Sequence, residues 1–288
     1  MLLFVLYALL VLGLWLAIHH LAPALVLAIL GVRNALLRLA GRRLDPIRAR
    51  LEGRSETLRR LGPPLAIAVA GAALSLAAGD LFLDLAEALR NENAAVERAD
   101  LAVHRLAAEA RGESAAPFFV FFTFLGTPVG LGVLVAGFVV GLLAKGHPRW
   151  AAYLVLTTAV GGLINLAMKS HFARERPDLS AALRSASGFS FPSGHAMGAT
   201  VVFGALSYLA FRALPSWKAK SGALALAVAT ILAISASRNY LGVHWITDVG
   251  AGIAAGTLWV VSITTAYEAL RRLGSPPGGG QSSRAGDR

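Results

Sequence analysis

The first charged side chain in the sequence is Arg33, so 32 residues of mostly Leu, Ala and Val character come before it. A helix needs roughly 20 apolar residues to cross a bilayer core, and inside that core a helix satisfies every backbone polar group. Six further apolar stretches follow: about Leu65 to Leu85, Pro117 to Ala144, Trp150 to Met168, His195 to Phe211, Ser221 to Ala236 and Val249 to Tyr267. Only 15% of the chain is charged, against about 25% in soluble domains. The pattern predicts an all-α polytopic membrane bundle of about seven transmembrane helices. The absence of cysteine excludes disulfides, thiolate metal sites and cysteine nucleophiles. A net charge of +11 would suggest nucleic acid in a soluble protein. Here the basic residues sit mainly in short loops between apolar runs, where they set topology, and no nucleic-acid partner is expected.

The loops divide the chain. Residues 1–32 are expected to form an N-terminal transmembrane helix; with no basic residues ahead of the apolar run, they do not read as a cleaved signal peptide. Residues 33–62 form a basic loop, with nine arginines against three acids from Arg33 to Arg60 and Pro46 near its middle. Two short helices drawn to anionic lipid are expected there. Residues 63–270 hold the helical core, and the Pro/Gly/Ser-rich residues 271–288 are expected to be a disordered tail. The basic loop, Lys-Gly-His-Pro-Arg at 145–149, the segment around Lys218 and Lys220, and Arg271-Arg272 fall on one side if seven helices alternate. The positive-inside rule makes that side cytoplasmic, with the N-terminus outside and the C-terminus inside. Glu87 to Gly112 falls on the outer side. Val96, Val103, Leu106 and Ala110 recur at helical spacing among charges of both signs. An interfacial helix and a solvated connector both fit.

Three polar clusters also fall on the outer side, where basic residues should be scarce. Lys169 to Pro177 reads KSHFARERP, Pro192 to His195 reads PSGH, and Ser237 to Asp248 reads SRNYLGVHWITD. Lys169, Arg174, Arg176, Arg184 and Arg238 therefore ask for an anion to balance them. Lys169 and Arg176, seven apart, share a face if their segment is helical. His244 and Asp248, four apart, also share one. A carboxylate on Nδ1 leaves Nε2 of such a histidine free as a nucleophile. Pro192-Ser193-Gly194 precedes a helix whose free N–H groups and positive dipole end suit a phosphate. His195, in the first turn, is placed to protonate a leaving oxygen. Taken singly, Ser193 also reads as an ordinary helix cap and each histidine as an interfacial residue.

The three clusters together resemble the signature of the type-2 phosphatidic acid phosphatase superfamily. Lys169, six residues and Arg176-Pro177 match its first motif; Pro192-Ser193-Gly194-His195 the second; Ser237-Arg238, five residues, His244, three residues and Asp248 the third. The resemblance implies a six-helix core, with the helix at 1–32 outside it. It also implies a metal-independent phosphatase in which His244 becomes a phosphohistidine, Asp248 orients it and His195 serves the leaving group. Lys169, Arg176, Ser193, Gly194 and Arg238 would bind the phosphate. No cofactor and no metal is expected, and the partners are a membrane lipid phosphate and the bilayer. Undecaprenyl diphosphate is the first substrate expectation, with phosphatidate and phosphatidylglycerol phosphate close behind. Transfer to another lipid, a non-enzymatic anion transporter and a haloperoxidase-like site are the alternatives. The sequence leaves oligomeric state open. His171, Arg174, Arg184 and Asn165 are left outside the site, and His19 and His20 are unexplained.

Overall fold

The computed structural model describes residues 1–39, 55–178 and 182–273, and among them nine helices and no strand occur. They are α1 (Leu2–Leu39), α2 (Ser55–Arg90), α3 (Ala94–Glu109), α4 (Ala116–Leu125), α5 (Pro128–Ala144), α6 (Pro148–Phe172), α7 (Gly194–Ala213), α8 (Trp217–Tyr240) and α9 (Ile246–Leu273). The middle of the basic loop and the tail from residue 274 lie outside the described residues, so the short helices and disorder expected there are not addressed; α9 itself runs on through Arg271 and Arg272. Six helices are long and apolar enough to cross a membrane, or up to seven if the bent pair α4–α5 is one span. Their outer faces carry exposed Leu9, Val69, Leu76, Val133, Leu163 and Leu232, as a lipid-facing surface requires.

The third predicted span is not one straight helix. It breaks between α4 and α5 with a bend of 58°. Pro128 opens α5 and has no N–H to continue the ladder, while the Thr127 hydroxyl caps the new helix by accepting the Gly130 N–H at 2.9 Å. Gly126 at the bend is also sterically required: a Cβ there would lie 3.0 Å from His195 Cδ2 and 2.4 Å from Ile234.

Close glycine contacts bring the core helices together. A Cβ on Gly252 of α9 would meet the Ser193 carbonyl at 2.7 Å, and one on Gly256 would meet Thr200 at 2.7 Å. Thus α9 lies directly against the start of α7. On the other side of α9, Ser262 donates to Ser75 of α2 at 3.0 Å. Tyr153, Tyr208 and Tyr267 cluster where α6 begins and where α7 and α9 end. Buried Glu268 gathers Tyr208, Arg212, Arg271 and Arg272 at the same end. The three polar motifs occupy the opposite end.

The extra helix α1 packs along α8. Phe4 and Tyr7 meet Phe118 and Phe122 of α4, and the Tyr7 hydroxyl pairs with Thr230 at 2.8 Å. His19 has a structural explanation: its carbonyl accepts the Trp217 Nε1–H at 2.9 Å, and its ring stacks on Trp15. These are belt contacts of aromatic groups at a helix end.

Candidate active site

His244 sits in the turn between α8 and α9, not on a helix. Gly242, with φ +77, supplies the left-handed residue that the turn needs, and the His244 carbonyl accepts from Asn239 Nδ2 at 3.2 Å. Asp248 is the third residue of α9. Its Oδ2 accepts the Trp245 backbone N–H at 3.0 Å, the back-reaching half of a capping box. The same oxygen lies 3.1 Å from His244 Nδ1. Capping α9 and holding the histidine are therefore one structural act. The other ring nitrogen, Nε2, faces Arg176 Nη1 at 3.1 Å. A guanidinium only donates, so Nε2 is the acceptor and the proton resides on Nδ1, directed at Asp248. His244 is 2% exposed and Asp248 fully buried. Burial lowers the His244 pKa to about 4; the Asp248 hydrogen bond and charge oppose this, and Arg176 and Arg238 reinforce it. At neutral pH the ring is therefore uncharged, with its nucleophilic lone pair on Nε2.

Lys169 and Arg176 would share a face only in a continuous helix, and the helix stops short of Arg176. Helix α6 ends at Phe172, and Ala173 turns the chain with φ +47, its N–H bonding back to the Lys169 carbonyl. Pro177 disfavours a helical residue before it. The Arg176 guanidinium is instead fixed by carbonyls: Gly188 at 2.9 Å, Ser187 at 3.1 Å and Val243 at 2.8 Å. Lys169 stays in the last turn of α6 and donates to the Phe189 carbonyl at 2.7 Å. Its Cε lies 3.7 Å from where a Cβ on Gly194 would be, which puts the ammonium stem beside the second motif. Arg238, in the last turn of α8, is 7% exposed and donates to Thr123 of α4.

The second motif is tied to the third by the Ser193 N–H, which donates to the Asp248 carbonyl at 2.9 Å. Ser193 precedes α7, yet its hydroxyl makes no capping bond to the helix. That oxygen and the Nε of Arg238 are buried without a hydrogen-bond partner among the described residues. Buried polar atoms normally have partners, and both of these sit on motif residues. A phosphate satisfies such donors. Gly194 and His195 open α7, and His195 lies within electrostatic reach of Arg238, His244, Arg176 and Lys169. All eight residues expected from the sequence thus converge at one end of the bundle.

Two participants were not expected. Arg174, left outside the site, donates to Asp248 Oδ1 at 2.6 Å and to Asp100 Oδ2 at 2.7 Å. Asp100 comes from α3, the segment whose nature the sequence left open, and is 2% exposed. Asn165 also belongs near the site, with its Oδ1 3.0 Å from a would-be Gly194 Cβ. His171 and Arg184 are exposed. A cleft of about 570 Å³ opens beside the site, lined in part by Asp100, Arg174, Arg176 and Trp245. Among the described residues no group of three or more His, Asp or Glu is arranged to hold a metal ion.

Comparison with known proteins agrees with this arrangement. Residues 150–272, which contain all three motifs, match the PAP2 superfamily model. Phosphatidylglycerophosphatase B of Bacillus subtilis (strain 168) is 31% identical over 194 residues, covering 67% of this chain and 94% of the relative. YbjG of Escherichia coli (strain K12), named as an undecaprenyl-diphosphatase, is 33% identical over 122 residues, 41% of this chain and 57% of that protein. The crystal structure of a transmembrane PAP2-type phosphatidylglycerolphosphate phosphatase from Bacillus subtilis superposes with a TM-score of 0.62 at 29% identity, over 68% of this chain and 96% of that one. A relative aligned over almost its whole length, together with a family model that spans all three motifs, leaves one conclusion: the chain belongs to the PAP2 superfamily.

Proposed function

We propose that this membrane phosphatase hydrolyses a lipid phosphate or diphosphate through a phosphohistidine on His244. The observation that carries the reading is the His244 ring itself. Its Nδ1–H is directed at Asp248 and its Nε2 lone pair opens toward Arg176. In the first step Nε2 forms a bond to phosphorus as the phosphorus–oxygen bond to the lipid breaks, and His195 gives its proton to the leaving oxygen. In the second, His195 takes a proton from water, the water oxygen bonds to phosphorus and the Nε2–phosphorus bond breaks, releasing phosphate. Arg176, Lys169, Arg238, Ser193 and the Gly194 N–H bind the phosphate oxygens and stabilise charge in the transition state. These cations supply the charge that a metal would otherwise bring. Both Asp248 oxygens are already engaged by donors, which suits a metal-free site.

The substrate's phosphate enters at the cleft beside Arg176 and Trp245, while its tail lies along the apolar helix surface. Phosphatidylglycerol phosphate and undecaprenyl diphosphate are the lipids to test first, since relatives are named for acting on each. The test is phosphate release from each by purified protein in detergent, with EDTA present. Release from either lipid that survives EDTA is expected. Release that EDTA abolishes would overturn the metal-free reading.

The same proposal puts the motif end outside the cytoplasm. Lys145, Arg149, Lys218, Lys220, Arg271 and Arg272 all lie at the far ends of their helices, which supports that orientation. The chain has no cysteine, so single-cysteine variants report cleanly. Ser185→Cys is expected to react with an impermeant maleimide on intact bacterial cells made permeable only at the outer membrane, and Lys145→Cys only after lysis. The reverse pattern would invert the topology.

A further inference from the structure

Asp248 is expected to orient His244, but Asp248 itself is held by a group from outside the three motifs' fixed positions. Arg174 bridges two buried carboxylates: Nη1 binds Asp248 Oδ1 at 2.6 Å and Nη2 binds Asp100 Oδ2 at 2.7 Å. Thr247, next to Asp248, completes the link. Its backbone N–H donates to Asp100 Oδ1 at 3.0 Å, and its hydroxyl accepts from Arg174 at 2.8 Å while donating to Asp100. The Trp245 ring flanks Arg174 at 5.6 Å, with His104 of α3 on it at 5.6 Å. One guanidinium therefore serves two carboxylates that are 2% and 0% exposed.

We propose that Asp100 and Arg174 are positioning residues that set the basicity of His244, by fixing the Asp248 carboxylate and leaving a net negative charge behind it. The role rests on the phosphohistidine reading above. Its physical basis is charge balance. Arg174 alone would neutralise Asp248 and draw electron density from its bond to His244. With Asp100 sharing the guanidinium, the three groups together carry one negative charge in a buried setting, where charges act strongly. That charge favours the positive imidazole which develops as Nε2 attacks phosphorus. The other groups facing His244 are Arg176 from the loop after α6 and Arg238 from α8, both opposing a positive ring, and His195 of α7. Lys169 also acts on Asp248. A negative contribution from α3 offsets this cationic ring on the side away from the phosphate.

The two substitutions that unbalance this clamp have opposite signs. Asp100→Asn keeps an acceptor for the Thr247 N–H but removes the charge, so the His244 pKa falls and the acid limb of kcat/KM moves to lower pH. Arg174→Gln removes the cation, so the pKa and the limb move up. A shift of roughly one pH unit is expected in each case. Both lower kcat roughly tenfold to hundredfold with smaller changes in KM, as loss of an outer-shell partner does. Asp100→Glu, which keeps the charge, recovers most of kcat. Folding is checked by size exclusion and melting. Nitrogen-15 histidine titration reads the His244 ring directly and needs no substrate; the seven histidines are distinguished by the resonance lost in His244→Ala. A merely structural role would leave the titration unmoved in folded variants, or move it the same way in both. Either result overturns the clamp. An active wild type with inactive His244→Ala and an unshifted Asp100→Asn refutes the clamp alone, whereas an active His244→Ala refutes the phosphohistidine reading as well.

Discussion

The His244→Ala variant is expected to release no phosphate above background from any lipid that the wild type hydrolyses. The expectation follows from the ring's position. His244 is buried, its Nδ1 is committed to Asp248, and its Nε2, the proposed nucleophile, faces Arg176 Nη1 at 3.1 Å. Removing a nucleophile of this kind costs on the order of 10⁴-fold or more in turnover, because phosphate binding by the remaining cations does not replace the missing bond. The intermediate gives a second measurement. Substrate labelled with phosphorus-32 in its terminal phosphate, quenched in alkaline denaturant, should leave label on the wild type and none on the variant. Label on both would move the nucleophile elsewhere in the chain. pH adds an independent check. With its pKa lowered by burial to about 4, His244 stays unprotonated well below the ordinary histidine range near 6.5. Loss of activity on the acid side through this residue therefore sets in as pH falls toward 4.

The sequence makes these residues visible because each motif is short and local. Pro-Ser-Gly-His straddles the start of its helix, and the His244–Asp248 spacing spans a single turn; within each motif little more than local chain geometry is needed to align the residues. Asp100 depends on something else. Its partner Thr247 is 147 positions away, and the link exists only because α3 folds back over the start of α9. A local signal was nonetheless present: Val96, Asp100 and Val103 lie on one helical face, so the carboxylate interrupts the apolar stripe instead of joining the solvated side. Arg174 falls between fixed motif positions, and nothing in that spacing says which arginine reaches inward. A shared face for Lys169 and Arg176 requires a helix through both, and Ala173 ends that helix before Arg176 is reached. The bend at Gly126-Thr127-Pro128 was hidden by uninterrupted hydrophobicity, even though Thr before Pro is a helix-start signal. Hydrophobicity reports burial in lipid or protein; it does not report where a helix breaks.

Asp248→Asn is expected to lower kcat by roughly 10³ to 10⁴-fold while changing KM little. The variant keeps the size of the side chain but replaces an all-acceptor group with one acceptor and one donor. At this position every neighbour donates: Arg174 and the Trp245 N–H always, and His244 Nδ1 in its reactive tautomer. If the amide oxygen faces Arg174, its NH₂ group meets the Trp245 N–H and His244 Nδ1. The ring then gives up its Nδ1 proton, and the proton moves to Nε2, where Arg176 Nη1 opposes another donor. If the amide flips, its oxygen accepts from His244 Nδ1 and the Trp245 N–H, but its NH₂ opposes Arg174 Nη1, donor against donor, beside a guanidinium that Asp100 and Thr247 hold in place. The first orientation keeps the charge-assisted bond to Arg174 and is therefore favoured, and it lacks the tautomer with a free Nε2 lone pair. On the proposed mechanism phosphate is bound by Lys169, Arg176 and Arg238, which the substitution leaves in place, so the loss is expected to fall on kcat. The measurement is steady-state kinetics on folded variant protein, paired with the phosphorus-32 quench. Full labelling with slow release would place Asp248 in the second step. Absent labelling would place it in the attack by His244, as the tautomer argument requires. A kcat within tenfold of the wild type would show that the ring is oriented by something other than this carboxylate.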